Sequence, residues 1–215
     1  MLPTTKSGRR LFAGAALLAA TAALACAVRG KSTPYVPDAP AYRQKGPADA
    51  AVIIAEYSDF QCPACRVAAP TVGKFAQILF PGKVRIIFKH FPWDFHDWAR
   101  DAAIAAECAG KGGDFWGFHD RLFARQHQWT VKTKKDEVRG VFFTFAKELK
   151  LDEAAFAACL DTPAVGEAVD AEFKEAKKRW VGSTPTFIIN GRRFVGDLQL
   201  RTHGLNHIEN ILKGK

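Results

Sequence analysis

The amino-acid sequence predicts an α/β fold in which a long helical segment interrupts a small sheet. Three observations lead to this prediction. A short apolar strand pattern runs into a Cys-x-x-Cys motif and a helix, and a second strand pattern follows at residues 83–89. Residues 97–179 carry apolar side chains at helical spacing. Two more strand patterns near the carboxyl terminus are joined at Asn190-Gly191. Strands and helices in this order favour a sheet with helices packed on it.

Length and composition are those of an ordinary globular protein. The chain has 215 residues, 48% hydrophobic and 25% charged, which excludes a disordered chain and a multi-pass membrane protein. Its 31 Lys and Arg against 22 Asp and Glu give a net charge of +9. The basic residues are interleaved with acidic ones and form no stripe with aromatics, so we expect no nucleic-acid partner. We expect a monomer.

The first thirty residues predict an export signal and no part of the fold. A basic start ends in Arg9-Arg10, and residues 11–28 are almost entirely apolar and close with small side chains. The arginine pair gives this segment a resemblance to the twin-arginine export pattern. Two alternatives would tether the protein to a membrane, namely lipidation of Cys26 or retention of the apolar segment as an uncleaved anchor. Export is the prediction common to all three.

The folded unit is predicted to start near residue 48, after a tether. Residues 31–47 are rich in Pro, Ala and polar side chains, and they run into an edge segment. Val52–Ala55 is then an apolar run typical of a buried strand. The motif Cys62–Cys65 follows before a helical pattern. Cys-x-x-Cys in a βαβ context indicates a thiol-disulfide redox site.

The position of the motif at a helix start suits disulfide exchange. The thiolate is the attacking group, and a helix amino terminus lowers a cysteine pKa through its partial positive charge and free N–H groups. Cys62 is therefore predicted to be the exposed attacker and Cys65, one turn deeper, the cysteine that resolves the mixed disulfide. Pro63 suits the first helical turn, where no N–H is needed. Half of a zinc site and a closed structural bridge are the alternatives.

The remainder of the chain completes the sheet and covers it. Helical spacing recurs through residues 97–179, and most of the aromatic side chains there are expected to be core. Two strands are predicted at Thr186–Asn190 and Arg193–Val195, followed by a closing helix at Thr202–Leu212.

Several stretches together resemble the DsbA-like branch of the thioredoxin superfamily, which consists of exported thiol-disulfide oxidoreductases. They are GPADAAVIIAEYSDFQCPACR, FKHFPWDFHDWARDAAIAAECAG, DFWGFHDRLF and VGSTPTFIINGRRFVG. The resemblance covers roughly residues 46–212. It implies a thioredoxin fold with an inserted α-helical domain. The thioredoxin-like core would be 48–96 with 180–215, and the insertion would be 97–179.

The same resemblance implies roles for further residues. Thr184-Pro185 occupies the place of the superfamily's cis-proline loop, so that Pro185 would pack against the motif and Thr184 would pair with an extended substrate segment. Pro63 and Ala64, between the cysteines, would tune the redox potential and contact substrate. Glu56 stands where the superfamily keeps a buried acid, and it would take the proton from the resolving cysteine.

Cys108 and Cys159 are expected to form a structural disulfide. Two cysteines left over in an exported protein tend to pair, and members of the family often place cysteines in matching contexts. Two separate buried thiols are the alternative.

The predicted function is exchange of the Cys62–Cys65 disulfide with cysteines of unfolded or reduced exported proteins, most directly as a disulfide donor in the periplasm. The resemblance implies reoxidation by a membrane quinone-linked thiol oxidase, and no metal or organic cofactor beyond the disulfide. Pro63-Ala64 departs from the Pro-His of the strongest oxidases of the family, and Thr184 replaces their Val. A reductase or isomerase for dedicated targets, served by a reductant partner, is one alternative, and a redox-inert peptide-binding module is another.

Overall fold

The structure is a computed structural model, and it describes residues 36–214. The predicted export signal, Cys26 and the beginning of the tether lie outside these residues. Strands are numbered β1 to β5 and helices α1 to α9. In chain order they are β1 Gln44–Lys45, β2 Val52–Ser58, α1 Pro63–Lys74, β3 Val84–His90, α2 Ala99–Lys111, α3 Phe115–Ala124, α4 Gln126–Thr130, α5 Lys135–Glu148, α6 Glu153–Leu160, α7 Pro163–Lys178, β4 Thr186–Ile189, β5 Arg192–Val195, α8 Gly196–Gln199 and α9 Leu205–Leu212.

The five strands form one sheet in the order β1-β3-β2-β4-β5. Central strand β2 pairs in parallel with β3 and antiparallel with β4, and all seven of its residues are buried. Burial of both faces explains why β2 begins with the apolar run Val52–Ala55. Its register sets Glu56 opposite Phe88 on β3 and Phe187 on β4.

Helices α2 to α7 lie between β3 and β4 in the chain, so the predicted helical insertion is present in an α/β fold. Its core is aromatic. The ring of Phe118 lies 6.2 Å from that of Phe142 and 5.7 Å from that of Phe156, and Trp129 is fully buried. A disulfide joins Cys108 on α2 to Cys159 on α6, with an S–S distance of 2.03 Å.

The described part of the predicted tether, residues 36–47, packs against the rest of the fold, which differs from the expectation of a tether. Ala41–Arg43 forms a short 3-10 helix, and β1 pairs with β3 as the expected edge segment of the sheet. Arg43 is buried, with ion pairs to Glu107 at 3.1 Å and to Glu172 at 2.5 Å. Composition could not reveal this, because the partners that offset burial of the guanidinium lie far away in sequence.

Among residues 36–214, no helix has both the length and the apolar character needed to span a membrane.

Candidate active site

The two cysteines of the motif are held at the start of α1. Cys62 is the residue that caps the helix, and Pro63 occupies the first helical position. Both thiols are free, with 8% of Cys62 exposed and Cys65 fully buried. Cys62 is less exposed than the sequence suggested, because the loop around Thr184 lies against it. Its Sγ is 3.6 Å from the carbonyl oxygen of Thr184.

The two thiols differ in pKa because their surroundings differ. A hydrogen bond from Cys65 lowers the pKa of Cys62 to about 6 against the opposing effect of burial, with further support from Thr184 and the backbone amides of Cys65 and Ala64. Burial raises the pKa of Cys65 well above its ordinary value, and the neighbouring Cys62 raises it further. The site therefore holds one thiolate at neutral pH, at Cys62, and one protonated thiol behind it.

The Thr184-Pro185 peptide bond is cis, and both residues are buried. The Trp93 indole N–H donates to the Thr184 hydroxyl at 2.9 Å, and the Gly196 amide donates to the Pro185 carbonyl at 2.9 Å. These bonds fasten the loop on both sides while the Thr184 carbonyl faces the Cys62 sulfur.

Pro63 and Ala64 are exposed in the first turn of α1. With the small accessible part of Cys62, they are the part of the motif that an approaching protein could touch. Their predicted role in substrate contact and redox tuning stays a prediction.

Glu56 is buried in the middle of β2, with 1% of its surface exposed. Side chains alternate along a strand, so Glu56 shares a face with Ile54, which packs in one core with Ala68 of α1. Burial raises the pKa of Glu56 to about 7, with the Ser58 hydroxyl opposing that shift. Within residues 36–214, its Oε1 has no hydrogen-bond partner. Proton transfer from Cys65 to this acid stays a prediction.

Four residues around the motif were not predicted as site residues. Asp59 binds backbone N–H groups of the motif turn, and Gln126 of α4 donates to the carbonyls of Phe60 at 2.8 Å and Cys62 at 3.1 Å. The other two are Trp93 and His96, from the segment after β3. For Asp59, Trp93 and His96 the available signal was their presence in stretches that carry the family resemblance, whereas Gln126 lies outside those stretches.

No group of three or more His, Cys, Asp or Glu side chains in the described part of the chain is arranged to hold a metal ion. The chemistry that the geometry supports is thiol-disulfide exchange at Cys62 and Cys65.

Comparison with known proteins agrees with this geometry. A family model described as Thioredoxin matches residues 39–205. BdbD from Bacillus subtilis is 26% identical with a TM-score of 0.67, over 80% of this chain and 92% of that one. DsbA2 from Pseudomonas aeruginosa is 23% identical with a TM-score of 0.65, over 82% and 97% of the two chains.

A segment of a larger protein is also similar. The Na(+)/H(+) antiporter NhaA 3 of Salinispora tropica is 36% identical over 154 residues, which are 71% of this chain and 22% of the antiporter. The chain thus spans less than a quarter of the length of that relative, and the name antiporter refers to the whole of that larger protein.

The chain belongs to the thioredoxin family, and within it to the DsbA-like thiol-disulfide oxidoreductases. The predicted thioredoxin fold with an inserted α-helical domain is confirmed.

Proposed function

We propose that the protein is an exported oxidase that donates its Cys62–Cys65 disulfide to cysteines of other exported proteins. The observation that carries the proposal is the contrast between the two thiols. Cys62 is the accessible one, and its pKa is lowered to about 6, whereas Cys65 is fully buried and has a raised pKa. A stabilised thiolate favours the reduced form of the pair, and a pair that prefers to be reduced is an oxidant toward its substrates.

The exchange proceeds in two displacements. A substrate thiolate attacks Sγ of Cys62, a mixed disulfide forms, and Cys65 leaves as thiolate and takes up a proton. A second substrate thiolate then attacks the substrate sulfur of the mixed disulfide and releases Cys62 as thiolate. The substrate loses two electrons and gains a disulfide, and the Cys62–Cys65 pair becomes reduced.

Two neighbouring groups support these steps. The Thr184 carbonyl beside Cys62 offers an acceptor for the backbone of an extended substrate segment. Glu56, with a pKa of about 7, is suited to exchange a proton near neutral pH, on the face of β2 that α1 covers.

The lowered pKa also sets the expected direction. At pH 7 a fall from the ordinary 9.0 to about 6 favours the reduced pair about tenfold over an unperturbed thiol. We propose unfolded or reduced exported proteins as substrates and a membrane quinone-linked thiol oxidase as the partner that restores the disulfide. The site of action would be the periplasm or another space outside the cytoplasm.

The test is the equilibrium constant of the Cys62–Cys65 pair against a glutathione redox series, measured on the full chain. A strongly oxidising midpoint supports the disulfide donor. A midpoint near that of a reductase supports instead a reductant for dedicated targets. If no reversible exchange occurs, a redox-inert peptide-binding module replaces both.

Substrate trapping supplies the matched control. Cys65→Ser, incubated with a disulfide-bonded substrate protein, should accumulate a mixed disulfide, because the Cys62 thiolate opens the substrate disulfide and releases one substrate thiolate, while the thiol that would resolve the mixed disulfide is missing. Cys62→Ser should accumulate none. Equal trapping by the two variants would contradict the assigned order of attack.

A further inference from the structure

The Asp59 carboxylate lies next to the motif, and its side chain is fully buried. Oδ1 accepts the amide N–H of Gln61 at 2.7 Å and that of Cys62 at 3.2 Å. Oδ2 accepts the amide N–H of Trp93 at 2.9 Å and lies 2.8 Å from Nδ1 of His96. Four donors offset the cost of removing this charge from water. The carboxylate thereby joins the turn before α1 to the segment after β3.

The backbone of Asp59 contacts both cysteines as well. Its N–H donates to Sγ of Cys65 at 3.4 Å, and its carbonyl accepts the N–H of Cys62 at 3.1 Å. A displacement of Asp59 would therefore move the hydrogen-bond donor of one sulfur and the backbone of the other.

His96 differs from the other three donors because it can carry a positive charge. An ionised carboxylate only accepts hydrogen bonds, so Nδ1 of His96 holds the proton in this contact. The imidazole is 19% exposed, and it opens onto a cleft of about 950 Å³. The other charged side chains lining that cleft are Asp94, Asp97, Arg100, Lys132, Asp170 and Lys174.

The Asp59 carboxylate is hydrogen-bonded directly to the backbone of Cys62, whose N–H donates to Oδ1. A buried negative charge near Cys62 disfavours a second negative charge on its sulfur. A positively charged imidazole in this contact, 2.8 Å from Oδ2, would offset that repulsion. The charge of the side chain at position 96 is therefore coupled, through Asp59, to the equilibrium between the Cys62 thiolate and the Cys62–Cys65 disulfide.

We propose that Asp59 and His96 form a positioning pair that sets how strongly the Cys62–Cys65 disulfide oxidises its substrates. Asp59 holds the turn that carries Cys62, and His96 offsets the charge of Asp59. Neither residue exchanges electrons or protons with substrate. The inference deepens the proposed function and rests on it.

The experiment measures the glutathione equilibrium constant and the pKa of the Cys62 thiol, followed by thiolate absorbance, in the full chain. His96→Asn keeps an N–H donor near the position of Nδ1 and removes the charge. We expect it to raise the pKa of Cys62 and to shift the equilibrium about three- to tenfold toward the disulfide, making the protein a weaker oxidant. His203→Asn is the matched control, since His203 is an exposed histidine whose ring contacts the Thr202 hydroxyl and not Asp59.

Coupling is tested in an Asp59→Asn background, where the effect of His96→Asn should fall below twofold. If Asp59→Asn does not fold, His96→Lys replaces it. That permanent cation should keep the equilibrium constant within twofold of the wild-type value, in contrast to His96→Asn, and a shift as large as that of His96→Asn would contradict the role of the charge.

Two results would overturn the inference. One is a His96→Asn protein that loses stability while its equilibrium constant and its Cys62 pKa stay within twofold of the wild-type values. The other is an undiminished effect of His96→Asn in the Asp59→Asn background. Failure of the proposed function can be distinguished from failure of this inference. In the first case the wild-type protein itself would show no oxidising midpoint, and the pKa of Cys62 could still be compared among the variants.

Discussion

Replacing Glu56 with glutamine should make the protein more stable at pH 8 than the wild type, and much less so at pH 5. The pKa of Glu56 is about 7 in the folded protein, because the side chain is buried in the sheet, against an ordinary value of 4.5. Between these two pH values the folded state retains a proton that the unfolded state has lost. Wild-type stability therefore falls as the pH rises through this window.

The magnitude follows from the same two pKa values. Each pKa unit corresponds to about 1.4 kcal/mol, so full ionisation of Glu56 costs the folded state about 3 kcal/mol. Glutamine keeps the shape and carries no charge, so it avoids this cost at any pH. Part of this cost is already present at pH 5, so the stability advantage of Glu56→Gln should grow by about 2.5 kcal/mol from pH 5 to pH 8.

The assay is urea unfolding of both proteins at pH 5, 6, 7 and 8, with Cys62 and Cys65 joined as a disulfide so that Cys62 does not titrate. Glu167→Gln, which removes a carboxylate from an exposed position on α7, is the control. A difference between wild type and Glu56→Gln that varies by less than about 0.5 kcal/mol across this range would refute the account of Glu56 as an uncompensated buried acid.

Three further predictions follow from other parts of the structure. Cys108→Ala/Cys159→Ala opens a loop with a sequence separation of 51 residues, so urea unfolding should show a loss of about 4 kcal/mol, and a loss below about 1 kcal/mol would contradict the loop-entropy reasoning. Arg43→Ala removes a buried partner of Glu107 and should lower the free energy of unfolding by about 3 kcal/mol in the same assay. Arg43→Lys should lower it by less, and an Arg43→Ala protein as stable as the wild type would contradict the role of this ion pair. Alkylation of Cys62 in the reduced protein should rise with a midpoint near pH 6, and a midpoint near pH 9 would show that the thiolate is not stabilised.

Much of the chemistry could be predicted from short stretches of sequence. A strand, a Cys-x-x-Cys motif and a helix are local patterns, so the place of Cys62 at the start of α1 followed from the order of residues alone. The family resemblance then supplied the expectation of the cis bond before Pro185 and of the Cys108–Cys159 disulfide, both of which are present in the structure. Composition alone predicted a tether where the chain folds, because the ion-pair partners of Arg43 lie on α2 and α7.

The sequence by itself therefore determined the α/β class, through the order of its strand and helix patterns, and the place of Cys62 and Cys65 at the start of a helix, since these patterns depend on neighbours within a few residues. Tertiary structure decided how deeply that pair is buried and which distant groups surround it, and these add to the local effects of Cys65 and the first helical amides on the acidity of Cys62. The Thr184 carbonyl reaches Cys62 across 122 positions, and His96 reaches Asp59 across 37. The pKa of Glu56 rises only because a sheet and a helix together exclude water from it. Hydrogen bonds, burial and charge act through space, and a one-dimensional pattern does not specify which distant side chains will share that space.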